Sequence, residues 1–470
     1  MLTLQRKLIF ALLGVLSMYS LAVAEEPTNP SPDWLKLDRV MAAADADAGG
    51  AASSVAGEPA GAGGGASAYP RLVPWVDYTG DLWHRAALTG DWGGVRQQLM
   101  DKGLRFDLSF IQVYQGNWAG GTEYWDPYQG NVRYGLRLDT GHAGLWPGGM
   151  LVIRGETRYG QSDMFSTGAL LPVDTLSLYP KPGDDVTAVM DLYYMQFLSE
   201  WFGVLVGKMS PRDTNVFASD EVRQFMNAGL VFNPVLGTTL PLDFLTVGAI
   251  FRPTEWFMVT TIVLDSDGTA TVSGFDTAFE RGTTVYQIAE LGVEPFGLPG
   301  HQRVGWTHSD KSRIQFEQTE RDIIGSIITG STAGLKRKDN DWSLFYDFDQ
   351  YVYTVPGKKD QGIGLFGRFG VTSGEVNPIQ SFYSIGVGGK GMIPTRDNDS
   401  FGIGYYYLDL SNKLPELIQR HSEDEKGIEI FYNIAVTPWL HITPDLQIID
   451  PARSNVDTTV VAGVRVVMDF

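Results

Sequence analysis

Arginines and carboxylates recur at short, regular spacings through this chain: Arg105 with Asp107, Arg133 and Arg137 with Asp139, Arg154 and Arg158 about Glu156, then Asp191, Glu290, Asp347 and Arg368. A guanidinium only donates hydrogen bonds and a carboxylate only accepts them. Set face to face, they answer a ligand whose every group does both, as the hydroxyls of a polyol do. A Tyr or Trp face beneath would cover the C–H side of such a solute. A solute that must leave again has to be held weakly. The plainer reading of the same residues is that they satisfy one another across a wet interior.

Other chemistries find less support. Gly362-Ile363-Gly364-Leu365-Phe366-Gly367 has the dinucleotide spacing, yet it lies among alternating β residues and runs into Arg368-Phe369, not a helix. The glycines 386–391 around Lys390 lack phosphate-loop spacing and read as a softened strand. His84, His142, His301, His308, His421 and His441 are scattered without metal-ligand spacing. Asp265-Ser266-Asp267-Gly268 opens like a calcium loop but lacks the later Glu, and reads as a turn. Asp347 and Asp349 could form an acid/base pair, but nothing argues for a raised pKa in either, so both read as lining. No nucleophile elbow and no Ser/His/Asp arrangement appears. The expectation is a protein that is not an enzyme, with no cofactor and no metal.

The ionic residues sit in period-2 segments. Leu104, Phe106, Leu108 and Phe110 alternate with Arg105, Asp107 and Ser109; Val132, Tyr134, Leu136 and Leu138 with Arg133, Arg137 and Asp139; Trp342, Leu344, Tyr346 and Phe348 with Ser343, Asp347 and Asp349. Sixteen such segments start near residues 104, 131, 150, 189, 202, 241, 255, 284, 300, 342, 361, 382, 399, 426, 440 and 459. Long gaps (160–188, 212–240, 265–283, 309–341, 411–425) alternate with short turns such as Arg252-Pro253-Thr254 and Thr437-Pro438. One short helix is expected between the polar cap candidates Thr89 to Asp91 and the stop at Gly103.

Strands of ~10 residues with one greasy and one ionic face suit a transmembrane antiparallel β-barrel, greasy side to lipid. A soluble sandwich shares the alternation, but it does not explain an Arg/acid-rich polar face, nor the aromatics at strand ends. Those are Tyr351, Tyr353, Tyr405-Tyr406-Tyr407, Trp256-Phe257 and Trp439, read here as interface girdles. The gap 212–240, with Arg212, Asp213, Asp220, Glu221 and Arg223, is long and charged enough to fold inward and constrict a channel.

At the N-terminus Arg6 and Lys7 precede the apolar run Leu8 to Leu16 and the small residues Ala22-Val23-Ala24, a secretory signal cleaved near Ala24 (domain 1–24). Residues 25–77 form an arm, Ala/Gly-rich over 42–68 and expected to be disordered, ahead of a barrel domain at 78–470. A net charge of −19 argues against nucleic acid as a partner. Cys 0 excludes disulfides and thiol chemistry. Val464, Val466 and Met468 alternate to a terminal Phe470, the kind of end that outer-membrane assembly machinery reads. Whether the chain is a monomer or a trimer stays open.

The chain also resembles the OprB family of carbohydrate-selective outer-membrane porins. The likeness rests on Leu88 to Arg96 (LTGDWGGVR), Gly116-Asn117 with Gly120-Gly121, Leu145-Trp146-Pro147-Gly148-Gly149, Ala289-Glu290-Leu291-Gly292, Gly364 to Arg368 with Asn377-Pro378, Arg396 to Asp399, and Pro438-Trp439-Leu440 with Pro444 to Gln447. It covers Leu88 to Phe470. The resemblance implies a sixteen-stranded barrel, passive uptake of glucose-like sugars, and a constriction of arginines and acids. Alternatives are a channel for organic or cyclic acids such as quinate or gluconate, a barrel enzyme, or a soluble secreted sugar-binding protein.

Overall fold

The computed structural model describes residues 71–124, 127–161, 166–180, 185–211, 213–358 and 360–470, apart from the side chains of Glu320, Ile323 and Ile327. The signal, most of the arm, and Arg212 lie outside the described residues.

Sixteen antiparallel strands close into one barrel. They are β1 (Leu104–Ala119), β2 (Tyr128–Asp139), β3 (Gly149–Gly160), β4 (Val186–Ser199), β5 (Phe202–Met209), β6 (Phe244–Thr254), β7 (Phe257–Asp265), β8 (Thr283–Val293), β9 (Gly300–Ser309), β10 (Asp341–Thr354), β11 (Gly362–Thr372), β12 (Ile379–Lys390), β13 (Ser400–Leu410), β14 (Glu425–Thr437), β15 (Leu440–Asp450) and β16 (Thr459–Asp469). Every strand begins within three residues of its expected start. β1 pairs with β16 through Ser109 and Asp469, which leaves the barrel without an edge. One end carries the tight turns 200–201, 255–256 and 438–439, and the other the long connections 161–185, 210–243 and 310–340. That asymmetry is the transmembrane pattern.

Along β10 the alternation is strict: Asp341, Ser343, Phe345, Asp347 and Asp349 are buried, while Trp342 and Leu344 lie exposed on the outside. A two-residue period allows no run of three aromatics to share a face. Tyr406 therefore points inward between Tyr405 and Tyr407, and Tyr351 is buried too, so neither belongs to the expected girdle. Trp439 also leaves it, because its Nε1 donates to the Leu82 carbonyl at 2.7 Å. Trp256 and Tyr353 remain exposed on the outer face.

The expected helix is α1 (Val95–Asp101). Its N-cap is Gly94 at φ 90 with no side-chain cap, so the polar cap read from the sequence is not used as one. Arg96 on α1 is buried under Tyr78, 3.8 Å from the ring centroid, and Nη2 donates to the carbonyls of Phe106 and Phe470, both at 2.9 Å. One guanidinium thus ties the start of the barrel to its last residue. The packed domain also begins earlier than residue 78: Leu72, Val73 and Val76 are buried beside Met100 and Met150, and the Leu72 amide donates to Asp139 at 2.8 Å.

Candidate functional site

The connection 210–243 does not stand over the barrel mouth but folds into the lumen. Phe217, Phe225, Leu230, Val231 and Val235 pack on the inward residues Tyr351, Phe366, Phe382, Tyr406 and Phe431 of β10 to β14. Inward glycines make the seat: a Cβ on Gly364 would meet the Phe217 ring at 2.2 Å, and one on Gly402 would meet Phe225 at 2.7 Å. The glycine spacing that mimics a dinucleotide loop is therefore explained by side-chain packing. It also means that the inner face of β10 to β14 is largely dry, where the alternation alone suggested water.

Three ionic ties spread this loop across the lumen. Asp213 meets Arg368 of β11 at 2.8 Å, Glu221 meets Arg133 of β2 at 2.6 Å, and Arg223 meets Asp469 of β16 at 2.8 Å. β2 and β11 face one another around the closed sheet. Asp220 accepts from the amides of Val222 and Arg223. Arg465 of β16 donates to the carbonyls of Glu221 and Gln224 at 2.9 and 2.6 Å. Burial alone would push the Asp213 carboxyl up, but the Arg368 charge and hydrogen bond, with Arg303 behind, hold it below the ordinary carboxylate range.

On the wall, register creates rows of alternating charge. Glu290 stands opposite Arg303, Arg303 opposite Asp347, and Asp347 opposite Arg368, so one level of β8 to β11 reads acid, base, acid, base. Arg303 is the centre. Its Nε donates to Glu290 at 2.6 Å, its Nη1 to Asp347 and Asp349 at 2.6 and 2.7 Å, and its Nη2 to the Thr214 carbonyl of the loop at 3.2 Å. Asp349 is held from behind by His301 at 2.5 Å. Arg303 is not among the lining residues expected from the sequence, where His301 stands only as one of six scattered histidines. Extending the period-2 phase of the strand at 300 would have put both on the inner face, with Val304 and Trp306 outside.

The remaining candidates divide by position. Arg133 opposes Glu156 and bonds it at 2.9 Å, and Arg154 opposes Asp191 at 3.0 Å. Arg105 bonds Asp107 at 2.8 Å, with Arg137 at 3.7 Å from the same carboxylate. These face the lumen together. Asp139 is apart from them: it holds the Leu72 amide and His142, as an anchor for the N-terminal segment. Arg158 is buried near Asp174, beneath a second inserted connection.

That second connection, residues 166–180, was read from sequence only as a long gap. Leu171, Val173, Leu176 and Tyr179 are buried inside the barrel. Glu425 of β14 accepts from the amides of Leu170 and Leu171, and Glu429, two turns of the pleat further, accepts from Met226 and Asn227 of the first loop. One strand thus carries a carboxylate hook for each loop. Asp174 caps the turn Thr175–Leu178 by accepting from the Leu176 amide at 3.1 Å.

Burial pushes the Asp174 carboxyl from its usual 3.8 to about 6, against the pull of Arg465, the Leu176 amide and Arg158 and with a further push from Asp445. The folded state then holds the proton more tightly than the unfolded chain. Its stabilising contribution is complete below pH ~3.8 and is lost as pH rises through ~6. A shift of this size corresponds to at most about 3 kcal/mol. Asp174→Asn keeps an acceptor for Leu176 and has no proton to lose. Loop proteolysis should therefore be slower at pH 5 than at pH 7.5 in the parent, and this difference should shrink in Asp174→Asn; an undiminished difference would assign it to other groups.

Between the first loop and the wall of β6 to β10 lies a cavity of about 120 Å³, to which Asp213, Arg303, Asp347 and Arg368 all contribute. Its charged side is not symmetric. The Arg368 and Arg303 side chains are 0% and 2% exposed, whereas Asp213 and Glu290 retain 15% and 14%. What a solute meets is chiefly carboxylate, with the guanidinium groups behind.

A family model described as carbohydrate-selective porin, OprB family, matches residues 126–470. Porin B of Pseudomonas aeruginosa is 21% identical over 417 residues, covering 81% of this chain and 90% of that protein. Porin AaxA of Chlamydia pneumoniae is 30% identical over 197 residues, 41% of each chain. The high-pH structure of Pseudomonas putida OprB aligns with a TM-score of 0.71 at 22% identity, covering 83% of this chain and 98% of that one.

Proposed function

This chain belongs to the OprB family of carbohydrate-selective porins, and from that premise we propose a passive, sugar-preferring diffusion channel of the outer membrane that performs no chemistry of its own. The observation that carries the reading is the row Glu290, Arg303, Asp347 and Arg368 closed from the lumen side by Asp213 of the inserted loop. The loop crossing is the constriction, and Arg133, Arg137, Asp107, Arg154 and Asp191 line the remainder of the path. Mixed acceptors and donors, most of them already paired, suit weak contacts to hydroxyl groups. Organic anions such as gluconate or quinate suit it less well, because the groups left accessible beside the cavity are Asp213 and Glu290.

The signal ends near Ala24, Phe470 serves as the assembly signal, and the lipid belt is the outer face of the strands. Single-channel recording in planar bilayers tests the transport reading. Glucose and xylose added to one side should interrupt the current more strongly than gluconate or quinate at equal concentration. Equal or stronger block by the acids would replace the sugar reading with the acid one, and a folded protein without conductance would end both.

A further inference from the structure

The cavity beside the ionic row is built for more than a bare sugar. Away from Asp213, Arg303, Asp347 and Arg368, and from Tyr179, Thr214, Asn233 and Tyr286, its wall is chiefly hydrocarbon: Leu236, Leu240, Phe244, Ile262, Ile288 and Phe345. Five of these are buried core residues, with Leu236 partly buried against them. Tyr286 and Phe345 stack there at 5.8 Å and 19°. Set into this lining are two hydroxyls, Ser210 Oγ and Thr260 Oγ1, each buried and, among the described residues, without a hydrogen-bond partner. Its volume of about 120 Å³ is of the order of the ~150 Å³ apolar cavity that holds one benzene ring.

A hexose bears a polar group on almost every carbon. Placed wholly in this cavity it would meet a few polar side chains and the ionic rim, and most of its hydroxyls would face carbon. A buried polar group without a partner costs roughly 1–3 kcal/mol, so such a pose is rejected. A planar apolar group gains from the same wall in proportion to the area it covers. The rim, in turn, presents the accessible carboxylates of Asp213 and Glu290, which accept from sugar hydroxyls and repel anions.

The geometry points to glycosides with an apolar aglycone as preferred solutes of this channel, the sugar at the ionic rim and the aglycone in the cavity. This rests on the channel reading for the rim but makes its own claim about the apolar wall. Binding of phenyl β-glucoside and of glucose to the detergent-folded barrel is compared by titration calorimetry, alongside conductance in bilayers. The glycoside should bind about tenfold more tightly or better, from the apolar area it buries. The paired change Leu240→Thr and Ile288→Thr, verified as folded by its heat-modifiable gel migration, should bring the two affinities within about twofold as that area turns polar. Equal affinities in the parent protein would overturn the inference, as would a preference that survives in the double variant. Preferential glycoside binding in a barrel that conducts nothing would uphold the cavity and sink the channel reading instead.

Discussion

Arg303→Ala should destabilise the barrel by about 3–5 kcal/mol, the cost of removing one partner from a buried charge network. The parent cluster sets Glu290, Asp347, Asp349 and Asp213 about two guanidinium groups; the variant leaves Arg368 beside Asp213 and Asp347, and His301 beside Asp349. Two consequences follow at once. The temperature at which the fast-migrating folded band disappears should fall, and reversal potentials in a salt gradient should move toward cation preference. Arg303→Lys keeps the charge but not the fork that reaches Glu290, Asp347, Asp349 and the Thr214 carbonyl together, so it should lie between the two. The loop bond through Thr214 makes conductance a third readout. An Arg303→Ala protein with the parent's melting behaviour and ion preference would show that the row is decoration and not structure.

Much of this is legible in the sequence. The strands announced themselves because lipid on one side and ionic partners on the other impose a period of two on nearly every segment from Leu104 onward. That Arg133, Glu156, Arg154, Asp191, Asp347 and Arg368 share the inner face came with that pattern, since the phase of a strand fixes the face of each side chain; which of them pair is set by the register. What the pattern could not show is where the inner face is dry. Ile111, Val113 and Val467 point inward against the rule, because Leu176 and Val222 from the inserted connections pack on them. The charges of Asp213, Glu221 and Arg223 suggested an inward loop, but its apolar anchors looked like any loop residues. No local spacing links Phe225 to Gly402 or Leu170 to Glu425; such pairs exist only once the sheet has closed. The same holds for Glu429, whose partners Met226 and Asn227 lie about two hundred residues away.

Which contacts keep the first loop inside can be decided by magnitude. Glu429 contributes hydrogen bonds to the amides of Met226 and Asn227, of the order of 0.5–1.5 kcal/mol each. Phe225 is 0% exposed, with Phe431 at 4.7 Å edge-on and Phe366 at 5.4 Å, and truncating this one ring costs about 3–5 kcal/mol. Leu230, Val231 and Val235 add roughly 1.5–3 kcal/mol apiece through burial. The apolar seat therefore outweighs the hook. Glu429→Ala should loosen 224–229 without emptying the lumen, giving a noisier channel of nearly unchanged mean conductance. Phe225→Ala combined with Glu429→Ala should raise single-channel conductance severalfold, approaching the value for a deletion of 217–228. Gly402→Val, whose Cβ would strike the Phe225 ring at 2.7 Å, attacks the same seat from the wall and should act in the same direction. If the deletion and the double variant both conduct like the parent, the loop does not form the narrowest part of the path, and the charged row must be constricted by something else.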